Sequence, residues 1–337
     1  MNATVAVDLH RRRSVVLGRD EHGEELPWVR LTNEPDRLVE AVMAHGAAPD
    51  VAIEATYGWY WAVDALQAAG ASVHLVAPAR VAAFEGRRVK NDLSDCRLLV
   101  DLLRAGILPE AWIAPPDCRH ARELVRHRAK LVALRSGLKS QIHAVLAKCG
   151  VPVNHTHLFD TDSGLSLLDH LVRTRLDGAF AERVQSLLTL IDQLSEQIDH
   201  TAELIDSSLC GHRGYDAVRS IPGVGPVVAG VFIAEIWDVD RFPTAAHLAS
   251  WCGLTPRHRE SDTKIRRGRI TKQGDKLVRW AAVQAAHRTS GHLADWRRDL
   301  AERRGVKHVA TVACARKIVT LAYYGMRDGH IRCLQPG

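Results

Sequence analysis

Two short apolar segments in the first third of the chain each carry one acid, and this pairing constrains the fold more than any other feature. Thr4-Val5-Ala6-Val7-Asp8-Leu9 and Val51-Ala52-Ile53-Glu54 read as strands. A carboxylate in or at the end of an apolar strand is costly unless it is paired or binds a metal. A third acidic stretch follows in Lys90-Asn91-Asp92-Leu93-Ser94-Asp95, at the head of a helix whose buried face is Leu98, Leu99, Leu102 and Leu103. Asp92 and Asp95 lie at i and i+3, so their carboxylates share a helix face. Taken singly, each acid has a plainer reading: a strand-end residue for Asp8, a helix-start acid for Glu54, and a capping or first-turn acid for the other two. Taken jointly, Asp8, Glu54, Asp92 and Asp95 form an oxygen-only set suited to Mg²⁺ or Mn²⁺, which leaves room for phosphate oxygens.

The order of elements supports that grouping. Ser14 to Arg19 and Leu26 to Thr32 read as second and third strands, split by the turn residues Asp20 to Glu25. Trp59 to Ala69 reads as a helix ending at Gly70, and Val73 to Val76 as another strand. Three strands in hairpin succession, then strand–helix–strand, predict an α/β domain with a mixed, ribonuclease-H-like sheet. In that layout the acid-bearing strands are neighbours. The first strand is not followed by GxGxxG, which argues against dinucleotide binding.

With 337 residues, 46% of them hydrophobic, the chain has material for two or three domains. Its net charge of +6 leans modestly towards polyanionic partners. Seven scattered cysteines without a CxxC pair suggest reduced thiols and a cytoplasmic protein, and no apolar run approaches the ~20 residues of a membrane span.

Cys118 to Ala147 is helical in pattern and strongly basic, with Arg122 and Arg126 among its cations and Glu123 as its acid. It reads equally as a helix along a nucleic-acid backbone and as a solvated charged face. From Ala179 to Ser207, apolar residues from Val184 to Ile205 recur at steps of three and four, a coiled-coil seam. Its partner is either the basic helix or another protomer. Three segments result: 1–116, 117–210 and 211–337.

The last segment contains Ile221-Pro222-Gly223-Val224-Gly225, similar to a helix-hairpin-helix turn in which Gly223 and Gly225 bring backbone N–H groups to a phosphate. The alternative is a glycine turn between core helices. Between Arg257 and Arg279 stand nine Lys or Arg (Arg257, Arg259, Lys264, Arg266, Arg267, Arg269, Lys272, Lys276 and Arg279) against three acids. That excess, broken by Gly268 and Gly274, suggests a loop gripping a polyanion. Ser261 is the hydroxyl at its centre, and on local grounds alone it reads as a turn or capping residue. Trp296, beside Arg297 and Arg298, reads as a base-stacking residue or, more plainly, a partly buried anchor.

These pieces in this order, with Gly253-Leu254-Thr255-Pro256 and Gly268-Arg269-Ile270-Thr271-Lys272-Gln273-Gly274, resemble the DEDD insertion-sequence transposases. That family has a RuvC-like N-terminal domain and a serine-bearing C-terminal domain, and it is related to Piv-type DNA invertases and includes bridge-RNA-guided recombinases. The resemblance implies an acidic tetrad at Asp8, Glu54, Asp92 and Asp95, and a nucleophile at Ser261. It implies cutting and rejoining of donor and target DNA, a non-coding guide RNA, a dimer or tetramer whose tetrad and serine come from different protomers, and a nucleoid-associated location. Where the family has Ser-Ser-Gly-Gly-Lys, this chain reads Glu260-Ser261-Asp262-Thr263-Lys264. Two other functional classes fit the residues: a junction-resolvase-like metal nuclease with water as nucleophile, and a non-catalytic nucleic-acid binder.

Overall fold

The computed structural model describes residues 3–81, 83, 84, 91–153, 155, 157–261 and 264–334, with the side chains of 259 and 264–267 outside that description. The chain divides into two compact units, 1–114 and 115–337.

The first unit is built on five strands: β1 (Thr4–Leu9), β2 (Arg13–Arg19), β3 (Val29–Thr32), β4 (Asp50–Glu54) and β5 (Ser72–Val76), ordered β3-β2-β1-β4-β5. The first three pair antiparallel, and β1, β4 and β5 run parallel, which makes the sheet mixed. Its helices are α1 (Pro35–Met43), α2 (Trp59–Ala68), α3 (Pro78–Val81) and α4 (Asp92–Arg104).

Period-two alternation sorts the strand side chains onto two apolar faces. Val5, Val7, Val51 and Ile53 pack with Leu38 and Val42 of α1 and Ala62, Val63 and Leu66 of α2. Ala6, Ala52, Val15, Leu17 and Val76 pack with Cys96, Leu99 and Val100 of α4. Alanines on the central strands leave room for α4 to approach, and the Cys96 thiol donates to the Val15 carbonyl at 3.5 Å. Strands buried on both sides need near-continuous apolar sequence, which explains why an acid among them stands out.

The start of α4 corrects one reading of its acids. Asn91 is the N-cap: its side chain accepts from the Ser94 amide at 2.8 Å, and Ser94 Oγ accepts from the Asn91 amide at 3.3 Å. Capping is therefore done without Asp92 or Asp95.

The second unit is mainly helical: α5 (Pro116–Lys148), α6 (Asp162–Arg175), α7 (Gly178–Leu209), α8 (Tyr215–Arg219), α9 (Pro226–Ile236), α10 (Ala245–Trp251), α11 (Lys276–Arg288), α12 (Gly291–Arg304) and α13 (Lys307–Asp328). The long helices α5 and α7 pair antiparallel within the chain. Val125 shares a core with Ile205, whereas Ile142 shares one with Val184 and Leu187. Arg135 bonds Ser195 at 3.0 Å and Arg183 bonds Gln141 at 3.2 Å along the same seam.

The basic stretch after α10 is a two-stranded ribbon where a loop was expected: β6 (Pro256–Ser261) and β7 (Lys264–Ile270) pair antiparallel. Backbone ladder bonds hold it, and the apolar alternation that signals most strands is missing from such charged sequence. Its base is clasped by backbone: the Thr271 amide donates to Thr255 at 2.9 Å, and the Lys272 amide to Gly253 at 3.1 Å. Gly274 sits at φ +81°, where a Cβ would lie 1.8 Å from the Trp251 carbonyl oxygen. A side chain there meets both left-handed strain and backbone, whereas at Gly268 a Cβ meets ordinary contact at 3.6 Å. Gly274→Ala is expected to destabilise the chain by about 1–3 kcal/mol or more, and Gly268→Ala by much less. Equilibrium denaturation of both variants checks this; equal losses would contradict the clasp.

Candidate active site

Asp8 is the penultimate residue of β1 and Glu54 the last of β4. Val7 registers with Ile53, so the next residues, Asp8 and Glu54, come level at the strand ends. Alternation puts both on the sheet face that α4 covers, and α4 begins with Asp92. The sheet register and one helix start thus bring together acids far apart in sequence.

Asp8 and Asp92 meet through a residue absent from the predicted set. His10 Nε2 lies 3.2 Å from Asp8 Oδ2 and 3.3 Å from Asp92 Oδ1. Ligand atoms of Asp8, His10 and Asp92 all fall within 4.8 Å of one another, and among the described residues they are the one such cluster. The Asp8 side chain is 13% exposed. Burial pushes its carboxyl above the usual range, His10 draws it back down, and the negative charges of Asp92 and Asp95 push it up again. Asp95 therefore acts on Asp8 through charge without joining the cluster. Glu54 is outside it too, level with Asp8 at the strand end. The signal for His10 was its spacing: in Asp8-x-His10 the two side chains emerge on the same side of an extended segment. Arg30 was also missed, and its Nη2 lies 3.3 Å from Asp92 Oδ2.

These groups suit a hard divalent cation. A half-desolvated carboxylate pressed by two further acids is the environment that bound positive charge relieves. Two carboxylates with one imidazole suit Mn²⁺ as well as Mg²⁺.

In the second unit Ser261 is exposed at the end of β6, paired across the ribbon with Lys264. Arg257, Arg269 and Lys272 are exposed on or beside the ribbon. The side chains of Arg259, Lys264, Arg266 and Arg267 lie outside the described residues. Gly223 (φ +91°) is committed to packing: a Cβ there would lie 2.4 Å from the Ala285 carbonyl oxygen of α11. Gly225, the N-cap of α9, is exposed and faces open space.

Arg122 and Arg126, expected to contact nucleic acid, have partners within the second unit. Arg122 donates to the Ala234 and Glu235 carbonyls at 3.1 and 2.8 Å, at the C-terminal end of α9. Arg126 grips the Glu235 carboxylate through two bonds of 2.8 and 2.7 Å. Glu235 is 1% exposed, and a carboxylate buried that deeply requires such partners. The cationic run was visible in the sequence, but its internal anion lies over a hundred residues downstream.

By sheet order and acid placement the first unit is of the ribonuclease-H-like class. A DEDD-type transposase model of the IS110 group matches residues 5–151, and the Transposase IS116/IS110/IS902 family model matches 215–302. The chain is 28% identical over 292 residues to a putative transposase of Sinorhizobium fredii, covering 83% of this chain and 73% of that one. It is 23% identical over 342 residues to the transposase for insertion sequence element IS1328 of Yersinia enterocolitica, covering 97% of each. Similarity extends to the pilin gene-inverting protein of Moraxella bovis, at 28% identity over 82% of this chain and 79% of that one. The chain belongs to the IS110/IS116 family of DEDD transposases, and is an enzyme of DNA strand transfer.

If Arg126 serves Glu235, Arg126→Ala will lower stability and leave the salt dependence of DNA binding unchanged. Arg269→Ala, by contrast, is expected to reduce the slope of log Kobs against log[salt] by about 1. Binding titrations across salt concentrations check both; a reduced slope for Arg126→Ala would return it to the interface.

Proposed function

We propose that this transposase excises and inserts a mobile element using Asp8, Glu54, Asp92 and Asp95 as its metal-binding acids and Ser261 as its nucleophile. The observation that carries the reading is the Asp8–His10–Asp92 cluster at the ends of two sequence-distant elements. Mg²⁺ or Mn²⁺, when bound, supplies Lewis-acid stabilisation of the phosphate oxygens. The carboxylates would hold and orient that charge, with Asp8, 13% exposed against 38% for Asp92, as the anchor. Arg30 and His10, already beside Asp92, are placed to balance its charge when no phosphate is present.

Ser261 Oγ attacks the scissile phosphorus, forming an Oγ–P bond as the P–O bond to the leaving strand breaks. The proton given up by Ser261 Oγ passes to solvent, the leaving oxygen takes one up from solvent, and the phosphoserine ester conserves the bond for rejoining. The exposure of Ser261 at the end of β6, in a stretch of sequence rich in Lys and Arg, supports this assignment. The acids and serine are supplied by different protomers of a dimer or tetramer, and a non-coding RNA pairs with donor and target DNA while the protein holds backbone and shape. Gly225 and the ribbon cations Arg257, Arg269 and Lys272 are the phosphate contacts in this reading. We assign metal-dependent chemistry to 1–116, a coiled-coil stalk to 117–210, and the helix-hairpin-helix and serine ribbon to 211–337.

Asp8→Ala and Asp92→Ala should each lower strand cleavage about 10³-fold or more, the loss of ~4 kcal/mol of transition-state stabilisation. Ser261→Ala should abolish the denaturant-resistant protein–DNA adduct, which denaturing gels of labelled donor DNA reveal. A full adduct yield from Ser261→Ala would remove Ser261 from the mechanism. Metal-dependent cleavage with no adduct in the unaltered protein would show water to be the nucleophile.

A further inference from the structure

One residue beside the acids is placed against the ordinary logic of folding. Tyr57 is 81% exposed, the most open of the large apolar side chains among the described residues. Aromatic rings usually bury most of their area, and a free ring on a loose loop would be unremarkable. Tyr57 is not on a loose loop. The Ala55 amide donates to the Val76 carbonyl at 2.8 Å, and the Thr56 amide to the Glu54 carbonyl at 2.8 Å. Thr56 Oγ1 donates to the Leu9 carbonyl at 3.3 Å, tying the segment to the residue after Asp8. Gly58 then turns at φ +84° and caps α2. The ring is thus held in solvent by a short, bonded segment between Glu54 and α2, beside the end of β1.

A second feature at the same strand end points to the ligand. The turn from β1 to β2 carries Arg11, Arg12 and Arg13 in succession, all exposed. Asn33 fixes this turn, donating to the His10 carbonyl at 2.6 Å through its side chain and to the Arg12 carbonyl at 3.1 Å through its amide. The three arginines line a cavity of about 510 Å³ with Arg30, His10 and Asp92. Consecutive like charges repel one another, so a rigid turn that gathers them at a cavity suits an anion. Phosphate-attracting cations and an open aromatic face, both next to the same acids, match a nucleotide: a charged backbone and a flat base.

We propose that Tyr57 is a base-stacking positioning residue for the nucleotide next to the phosphate processed at the Asp8–Asp92 cluster, with the Arg11–Arg13 turn seating the neighbouring phosphate. The proposal rests on the acid cluster being the DNA-processing site. Stacking on one face tolerates any base, so Tyr57 fixes the strand without reading its sequence. It favours an unpaired or splayed nucleotide, whose face is free, over one inside a duplex.

The test uses the full chain and a single-stranded oligonucleotide carrying 5-iododeoxyuridine, in Ca²⁺ buffer under long-wavelength ultraviolet light. The expected result is a cross-link mapped to Tyr57 by mass spectrometry. Tyr57→Ala should lose that cross-link and weaken binding about fivefold or more, from a base-stacking contribution of ~1–3 kcal/mol. Tyr57→Phe, which keeps the ring, should bind like the unaltered protein, and thermal unfolding of all three should coincide because the side chain packs against little. Equal affinity of Tyr57→Ala and the unaltered protein overturns the inference, as do cross-links that map elsewhere. If binding is insensitive to Tyr57 yet Asp8→Ala still abolishes cleavage, stacking fails while the active-site reading stands. If Asp8→Ala cleaves normally, the reading beneath it fails as well.

Discussion

The packing of α4 onto the small-residue face of the central strands is the constraint on which the first unit's chemistry depends. Ala6 and Ala52 admit Cys96, Leu99 and Val100, and every one of these residues is essentially excluded from solvent. Burying that face fixes the helix's direction and therefore where its first turn ends up. Asp92 arrives beside Asp8 as a by-product of hydrophobic packing several residues away. The cap at Asn91 matters for the same reason, because it satisfies the helix start without consuming an acid.

A different balance organises the second unit. Its centre is α9, with residues 228–236 all buried, so the carbonyls at its C-terminal end need donors from elsewhere. Arg122 and Arg241 supply them, Arg241 at 3.2 Å to both the Ile236 and Glu235 carbonyls. Burial lowers the Arg241 guanidinium to about 10, a sign of how far it has been drawn from water. Arg122 and Arg126 anchor α5 to α9, whereas Arg257 and Arg269 of the β6–β7 ribbon are exposed.

Much of the first unit was legible in the sequence, since apolar strands of five or six residues, a glycine-ended helix and acids at strand ends each have a local signature. What escaped was relational. His10 gained its place from the fold of a turn, and Asp92 lost its capping role to a neighbour whose side chain reached the Ser94 amide first. In the second unit the antiparallel seam of α5 and α7 was readable as a repeat, but the choice of partner was settled by contacts such as Arg135 with Ser195. The β6–β7 ribbon hid because its charged strands lack the alternation that burial imposes. Of the two glycines that looked like loop markers, Gly274 proves to be a point where two backbones touch.

The central claim is that folding gathers Asp8 and Asp92 around one divalent ion. Electron paramagnetic resonance of free Mn²⁺ during titration tests it most directly. The account predicts saturable loss of the free-ion signal with the unaltered protein, and at least tenfold weaker binding when Asp8 and Asp92 are both changed to Asn. Unchanged Mn²⁺ affinity in that double variant, with its fold intact by circular dichroism, would contradict it.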